Sequence, residues 1–367
     1  MTTFNIEMLA AKHGDALWVE YLDGKRTRRL CIDGGPIGAY AALENCLARL
    51  PDDDKRVELL VVTHVDTDHI EGIIRLLAMP RTKWPIAPQD IWFNGYRHVA
   101  PHDDLGGREG EMISALIHER DHGSWNKAFG GEAVVLGGDE EALPEIELAG
   151  GMVLTLLSPD RAKLAKMAKK WRQDLVKFNM TAGDLEAAWK QLASLPRFKL
   201  DEESTLGSAD LGEELRAMLK DVDDSEANGS SIAFLARCNG KSCLFLADAH
   251  RDIISRSLKK LAEQEGGMLT VDAVKMSHHG SKKNVSAEFF DLVDAKHYLF
   301  STNGDIHDHP NAAAVEAVIA GSTREPVLWF NYRSPFTLPY EELARSPEAR
   351  FTTRFPAEGE EGIVVAL

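Results

Sequence analysis

The 367-residue chain has no apolar run long enough to cross a membrane. A spanning helix needs about twenty predominantly apolar residues in succession. The longest stretch here, Val57 to Val65, is short and is interrupted by Glu58 and His64. Met1 to Ala11 lacks the basic start, apolar stretch and small-residue cleavage site of a secretory signal. A cytoplasmic protein without a membrane partner is therefore expected. Cysteine is scarce as well. Cys31, Cys46, Cys238 and Cys243 are too few and too scattered for a disulfide framework in so long a chain. Cys238 and Cys243 flank Asn239-Gly240, a tight-turn dipeptide, and read as hairpin residues because no second ligand pair lies nearby to make a zinc knuckle. Positive charge is also short. Lys and Arg number 42 against 58 Asp and Glu, a net charge of −16, which argues against coating a nucleic acid through broad counterion release. It leaves room for an enzyme with a local basic rim. The 44% of hydrophobic residues is enough to bury a sizeable core.

Short β-like runs alternate with turns over the first sixty residues: Phe4 to Leu9, Ala16 to Leu22 and Arg29 to Ile32, with Asp23-Gly24 placed to turn a hairpin. Asp33-Gly34-Gly35-Pro36 breaks the chain, and Tyr40, Leu43, Leu47 and Leu50 then recur at helical spacing. Val57 to Thr63 reads as a buried central strand. Strand, loop and helix alternate, the signature of a layered α/β fold. Residues 160–226 differ. Leu164, Met167, Trp171, Leu175 and Phe178 are spaced by three or four, and strand-forming pattern is nearly absent. A helical insertion or cap is expected there. From Ser231 the β character returns as a hairpin. Strands near Ala273 to Met276 and His297 to Ser301, a helix over Asn311 to Ile319 and a last strand at Gly362 to Ala366 follow.

The chemistry concentrates in Thr63-His64-Val65-Asp66-Thr67-Asp68-His69, where the apolar strand ends. Two histidines and two aspartates within six positions offer nitrogen and oxygen donors to a divalent metal. The open end of a sheet strand is where α/β folds build their sites. The alternative is a polar loop whose carboxylates cap the helix starting near His69.

This segment, continued by Ile70-Glu71-Gly72, resembles the HxHxDH signature of the metallo-β-lactamase superfamily, in the H-x-D-x-D-H-x-G-G variant of its ComEC-like branch. Glu71 stands where that branch has its first Gly. Five further blocks resemble the branch in order: His13-Gly14-Asp15-Ala16 with Cys31-Ile32-Asp33-Gly34-Gly35; Asn228-Gly229-Ser230-Ser231; Leu244-Phe245-Leu246-Ala247-Asp248-Ala249; Lys275-Met276-Ser277-His278-His279-Gly280-Ser281; and His307-Asp308-His309-Pro310. The resemblance implies one four-layer αβ/βα metallo-β-lactamase sandwich over residues 1–367, with 160–226 inserted, and two divalent metal ions, zinc or manganese.

Carried over, the family roles give His64 and Asp66 to one ion and Asp68 and His69 to the other, with Asp248 bridging. The C-terminal ligand is His278 or His279; His278 is favoured because it follows the strand directly, leaving His279 as a leaving-group contact. Many members carry one more metal-binding His before the hairpin. Here Glu226 to Ser231 contains none, so the first site is expected to be oxygen-rich and open, filled by Asn228 or water, or by a loop histidine (His98, His102, His118 or His122). Oxygen-rich ligation favours manganese over zinc.

A water between two cations ionises near neutral pH. Asp68 would orient it, and His279, His307 or His309 would protonate the departing oxygen. Ser281 and the pair Lys282-Lys283 are candidates to meet a substrate phosphate. The basic residues Arg161, Lys163, Lys166, Lys169, Lys170, Arg172 and Lys177 form either a lid over an anionic substrate or a solvated helix face. The branch points to a phosphodiesterase or nuclease acting on an anionic phosphodiester. Hydrolysis of another ester, a phosphorylcholine-type ester or a lactone, and a non-catalytic regulatory role are the alternatives, because one fold hosts many chemistries. The sequence carries no signal for an oligomeric state.

Overall fold

The computed structural model describes residues 4–99, 108–177, 184–196 and 225–367. The N-terminal part lays down β1 (Phe4–Met8), β2 (Leu17–Asp23), β3 (Arg26–Ile32), the two-residue β4 (Arg56–Val57), β5 (Leu59–Val61), the two-residue β6 (Ala87–Pro88) and β7 (Ile91–Trp92). The second sheet takes β8 (Glu145–Leu148), β9 (Met152–Ser158), β10 (Ala233–Cys238), β11 (Lys241–Phe245), β12 (Leu269–Lys275), β13 (Val293–Phe300), β14 (Val327–Phe330) and β15 (Thr352–Arg354). β16 (Ile363–Ala366) returns to the first sheet, whose order is β16-β1-β2-β3-β5-β7; the second runs β15-β14-β13-β12-β11-β10-β9-β8, and β4 pairs only with β6.

Alternation along the strands explains the layering. Leu59 and Val61 enter the core that also holds Leu154, Leu156 and Phe234 of the second sheet. Their neighbours Leu60 and Val62 face a second core with Leu43, Ile70, Ile73, Leu77 and Met112 from helices. Successive strand residues point to opposite faces, so the first sheet has the second sheet on one side and helices on the other. Ile253, Leu258, Val315 and Val318 come from the helices Arg251–Gln264 and Ala312–Gly321, which follow strands of the second sheet. The architecture is the expected four-layer αβ/βα sandwich. Each fully buried Leu or Ile contributes about 1.5–3 kcal/mol.

Two local expectations shift. The strand foreseen over Val57 to Thr63 divides at Glu58, a buried carboxylate gripped at 2.7 Å by Arg28 and by Arg56. The helix from Tyr40 ends at Leu47 rather than Leu50. The Cys238–Cys243 hairpin forms around Asn239 and Gly240, both at positive φ, and its cysteines are buried free thiols. Within the segment expected to be helical, residues 178–183 and 197–224 lie outside the described residues, and with them Phe178. The helix Arg161–Lys177 packs Leu164, Met167 and Trp171 into the helical layer beside the first sheet. Trp171 lies against Gly110 of the helix Arg108–Asp121, where a Cβ would meet its ring at 2.1 Å. No helix among the described residues is long and apolar enough to cross a membrane.

Candidate metal centre

The loops at one edge of the sandwich carry the polar residues. β3, β5 and β7 run parallel, as do β11 through β14. Asp33 follows β3, His64 follows β5, Asp248 follows β11 and His278-His279 follow β12. The C-terminal ends of parallel strands thus face a common cleft. Asp68 and His69 sit in the first turn of the helix Thr67–Ala78. Asp66 is the N-cap of that helix by position, yet its side chain makes no capping bond. Its Oδ2 lies 3.4 Å from His64 Nε2 instead. Close backbone approach locks the turn. A Cβ on Gly72 would come within 2.0 Å of the Gly34 carbonyl, and one on Gly14 within 1.8 Å of the Asp68 carbonyl. Glu71, the departure from the family pattern, is buried and accepts the Ile37 amide at 2.9 Å.

Asp33 organises the histidines. Its Oδ2 accepts from His69 Nδ1 at 2.8 Å and from the Thr63 hydroxyl at 2.7 Å. That hydroxyl has one proton, already given to Asp33, so toward His64 Nδ1 at 2.9 Å it accepts. Both imidazoles therefore carry a proton on Nδ1 and turn Nε2 into the cleft. On the other side, His279 Nδ1 donates to the Ser301 carbonyl at 2.9 Å, with Asp15 Oδ1 at 3.5 Å. Asp15 in turn accepts from Lys275 Nζ at 2.6 Å. Lys275 is 1% exposed and Asp15 2%. Burial alone would raise the Asp15 carboxyl, but the charges of Lys275 and His279 outweigh it and hold the group well below the carboxylate range.

Three of the Nε2 atoms converge on one carboxylate. His69 Nε2 is 3.5 Å from Asp248 Oδ2, and the Nε2 atoms of His278 and His279 are each 3.7 Å from it. Asp68 Oδ2 lies 3.4 Å from His279 Nε2 and 3.7 Å from His69 Nε2. These spacings are too long for hydrogen bonds. They match donors arranged around a common cation, because ligands about 2.1 Å from a tetrahedral ion stand about 3.4 Å apart. His69 Nε2, His279 Nε2 and Asp248 Oδ1 are buried without a hydrogen-bond partner among the described residues, a costly arrangement unless another group satisfies them. Asp15, His69, Asp248 and His279 each bring a donor atom within 4.8 Å of the others. Two nitrogens and carboxylate oxygens, buried and orphaned, fit a divalent cation. Burial would depress His279, yet Asp248 and Asp15 raise it to about 10, so its ring holds a proton that a cation would displace; Asp248, Asp68 and Asp33 act on His69 in the same sense. The cleft already has the negative potential that a cation would neutralise.

The remaining candidates fall at the rim or elsewhere. His278, favoured in sequence as the ligand, is the partly exposed one of its pair, while His279 lies in the buried quartet. His309 is buried 5.3 Å, ring to ring, from His278, and burial with its imidazole neighbours pushes it down to about 3; exposed His307 is a further 5.7 Å away. Ser281 is buried and its hydroxyl accepts the Lys283 amide, whereas Lys282 and Lys283 are exposed on the following loop. His98 and His122 border Trp125, and His118 stacks edge-on with His122; among the described residues none of the three is in ring contact with the cleft histidines. His102 and the side chain of Lys177 lie outside the described residues. Lys163 pairs with Asp252 at 2.8 Å and reaches His250 Nδ1 at 3.1 Å.

Asp33, Asp15 and Lys275 carry roles that sequence reasoning did not assign, although all three lie in the quoted blocks. The available signal was Lys275 itself, a charge closing the apolar strand VDAVKM.

No protein-family model matches the sequence, and no curated protein matches it either. Among solved structures it is similar to the metallo-β-lactamase fold protein YhfI from Bacillus subtilis, at 10% identity and TM-score 0.39 over 100% of both chains. It is similar to a diphosphatase of the PhnP family at 13% identity and TM-score 0.35, over 98% of this chain and 97% of that one. A mutant of the β-hydroxylase CmlA matches at 13% identity and TM-score 0.39, over 99% of this chain; this chain spans 54% of the hydroxylase. Superpositions this loose say nothing of activity.

Proposed function

We propose that the chain is a metal-dependent hydrolase that cleaves a phosphodiester with water activated between two divalent cations, zinc or manganese. The observation that carries the reading is the convergence of three imidazole Nε2 atoms on Asp248 Oδ2. Asp248 would be shared between the ions. Asp68 and His69 would hold one, and His64 and Asp66 the other. When bound, the pair of cations would supply an acidified water and a clamp on the attacking and leaving oxygens of an in-line displacement.

The chain's own residues do the rest. Asp33 fixes the tautomer of His69 directly and that of His64 through Thr63, so both nitrogens are presented without rearrangement. Ser301 and Asp15 do the same for His279. Asp68 stands beside the cleft, side chain 21% exposed, where it can orient a water while serving as a ligand. Of His279, His307 and His309, the candidates to protonate the departing oxygen, His307 is the exposed one, and Lys282 and Lys283, also exposed, would meet the phosphate. The ComEC-like resemblance supports nucleic acid or a nucleotide-like molecule as substrate.

Metal-loaded protein assayed on bis-p-nitrophenyl phosphate, single-stranded DNA and a lactone tests this. Phosphodiester turnover that falls at least about a thousandfold in Asp68→Ala is expected. Lactone turnover alone would transfer the chemistry to another ester. No turnover with both ions bound would leave a non-catalytic protein.

A further inference from the structure

We propose that the consecutive histidines are divided between the two cations: His279 completes the inner centre with Asp68, His69 and Asp248, and His278 completes the outer one with His64, Asp66 and Asp248. The assignment rests on the two-cation reading above. It removes the gap left by the missing histidine of Glu226 to Ser231, where the family pattern would place the outer centre's third nitrogen.

The backbone supplies the first argument. In extended chain, neighbouring side chains point to opposite sides. His278 and His279 have φ of 48° and 54°, both left-handed, and Gly280 follows at 87°. Each left-handed non-glycine residue is strained, and such strain persists where the surroundings over-determine it. Its result here is specific. Two adjacent imidazoles, with planes 74° apart and centroids separated by 6.0 Å, bring both Nε2 atoms to 3.7 Å from one Asp248 oxygen.

Asn228 supplies the second. It stands in the segment where the missing histidine belongs, and its side-chain amide lies 3.4 Å from His278 Nδ1. The atom that faces the ring is Nδ2, at the long edge of hydrogen-bond range from Nδ1 and on the far side of the ring from the Nε2 that approaches Asp248. Asn228 thus stands behind the His278 ring as a positioning residue rather than a ligand. Both centres acquire two nitrogens plus carboxylate oxygens, so the outer one is no longer the oxygen-rich site that would favour manganese.

Isothermal titration of metal-free protein with Mn(II), with counting of bound ions by mass spectrometry and electron paramagnetic resonance of the loaded protein, decides the matter. Wild type is expected to hold two ions per chain with an exchange-coupled spectrum. His278→Ala should keep one tight ion, lose the second by more than about a hundredfold in affinity, and show an uncoupled spectrum. Asn228→Ala should weaken only the second ion, by about tenfold. His278→Gln, which keeps size and polarity, repeats the measurement if the alanine variant does not fold, and His250→Ala, beside Gly229, should leave both ions in place. Two ions bound to His278→Ala or His278→Gln with wild-type affinities would overturn the assignment while leaving the two-cation reading intact. Fewer than two ions on wild type would overturn both.

Discussion

The inner and outer halves of the cleft differ in what stands behind their histidines. Inside, His69 is backed by the Asp33 carboxylate at 2.8 Å, and His279 by the Ser301 carbonyl with Asp15 and Lys275 beyond it. Outside, His64 leans on the neutral hydroxyl of Thr63 and His278 on the amide of Asn228. Of the four imidazoles only His278 is partly exposed, its side chain at 24%, while the carboxylates Asp68 and Asp66 are open to solvent in both halves. Anionic partners raise the basicity of a ligand, and exclusion of water strengthens every charge interaction. On the proposed two-cation reading, the inner half would hold its ion more tightly than the outer.

Four perturbations would break or sharpen that contrast. The largest effect belongs to Asp248, common to both halves. Asp248→Ala should abolish binding of both ions and turnover together; survival of either ion at wild-type affinity in a titration would remove the shared carboxylate from the account. Next is the buried pair behind His279. Lys275→Met strands the Asp15 carboxylate without its partner and should cost about 3–5 kcal/mol in a denaturant melt, most of it recovered in the Lys275→Met/Asp15→Asn double variant. A loss below about 1 kcal/mol would mean that the pair holds nothing in place. Third, Asp33→Asn should weaken the inner ion by about ten- to a hundredfold, more than Thr63→Val weakens the outer one; the reverse ranking would invert the contrast.

The smallest effect lies away from the cleft. Burial, with Arg97 beside it, pushes His98 down to about 4 from 6.5. The unfolded chain takes up a proton there first as pH falls, so this contribution to stability is full above pH 6.5 and is lost by pH 4. It amounts to at most about 3 kcal/mol. His98→Phe should flatten the pH dependence of the melting temperature across that window; an unchanged slope would show that His98 is not the group responsible.

The strands that alternate or sit beside a turn dipeptide were legible in the sequence: β1, β2, β3 and the β10–β11 hairpin fall where they were expected, to within a few residues. β8 and β9 were not foreseen. Met152 to Ser158 is buried along nearly its whole length, so no period of two separates it from a helix, and the Gly150-Gly151 turn that joins it to β8 is the one cue. In the cleft, the donors of the H-x-D-x-D-H turn could be named because their chemistry is explicit in residue type, and Asp248 through the family resemblance. The roles of Asp33, Asp15 and Lys275 could not, because each depends on a contact between strands far apart in the chain, such as Lys275 with Asp15. The question of which histidine goes deeper was decided by two left-handed residues, a backbone property that composition does not encode.

Anomalous scattering from crystals soaked in manganese and in zinc is the most direct measure of the central claim. Two peaks on either side of Asp248 are expected, the inner within ligand distance of Asp68, His69 and His279, the outer of His64, Asp66 and His278. A single peak, or none within reach of Asp248, would contradict it.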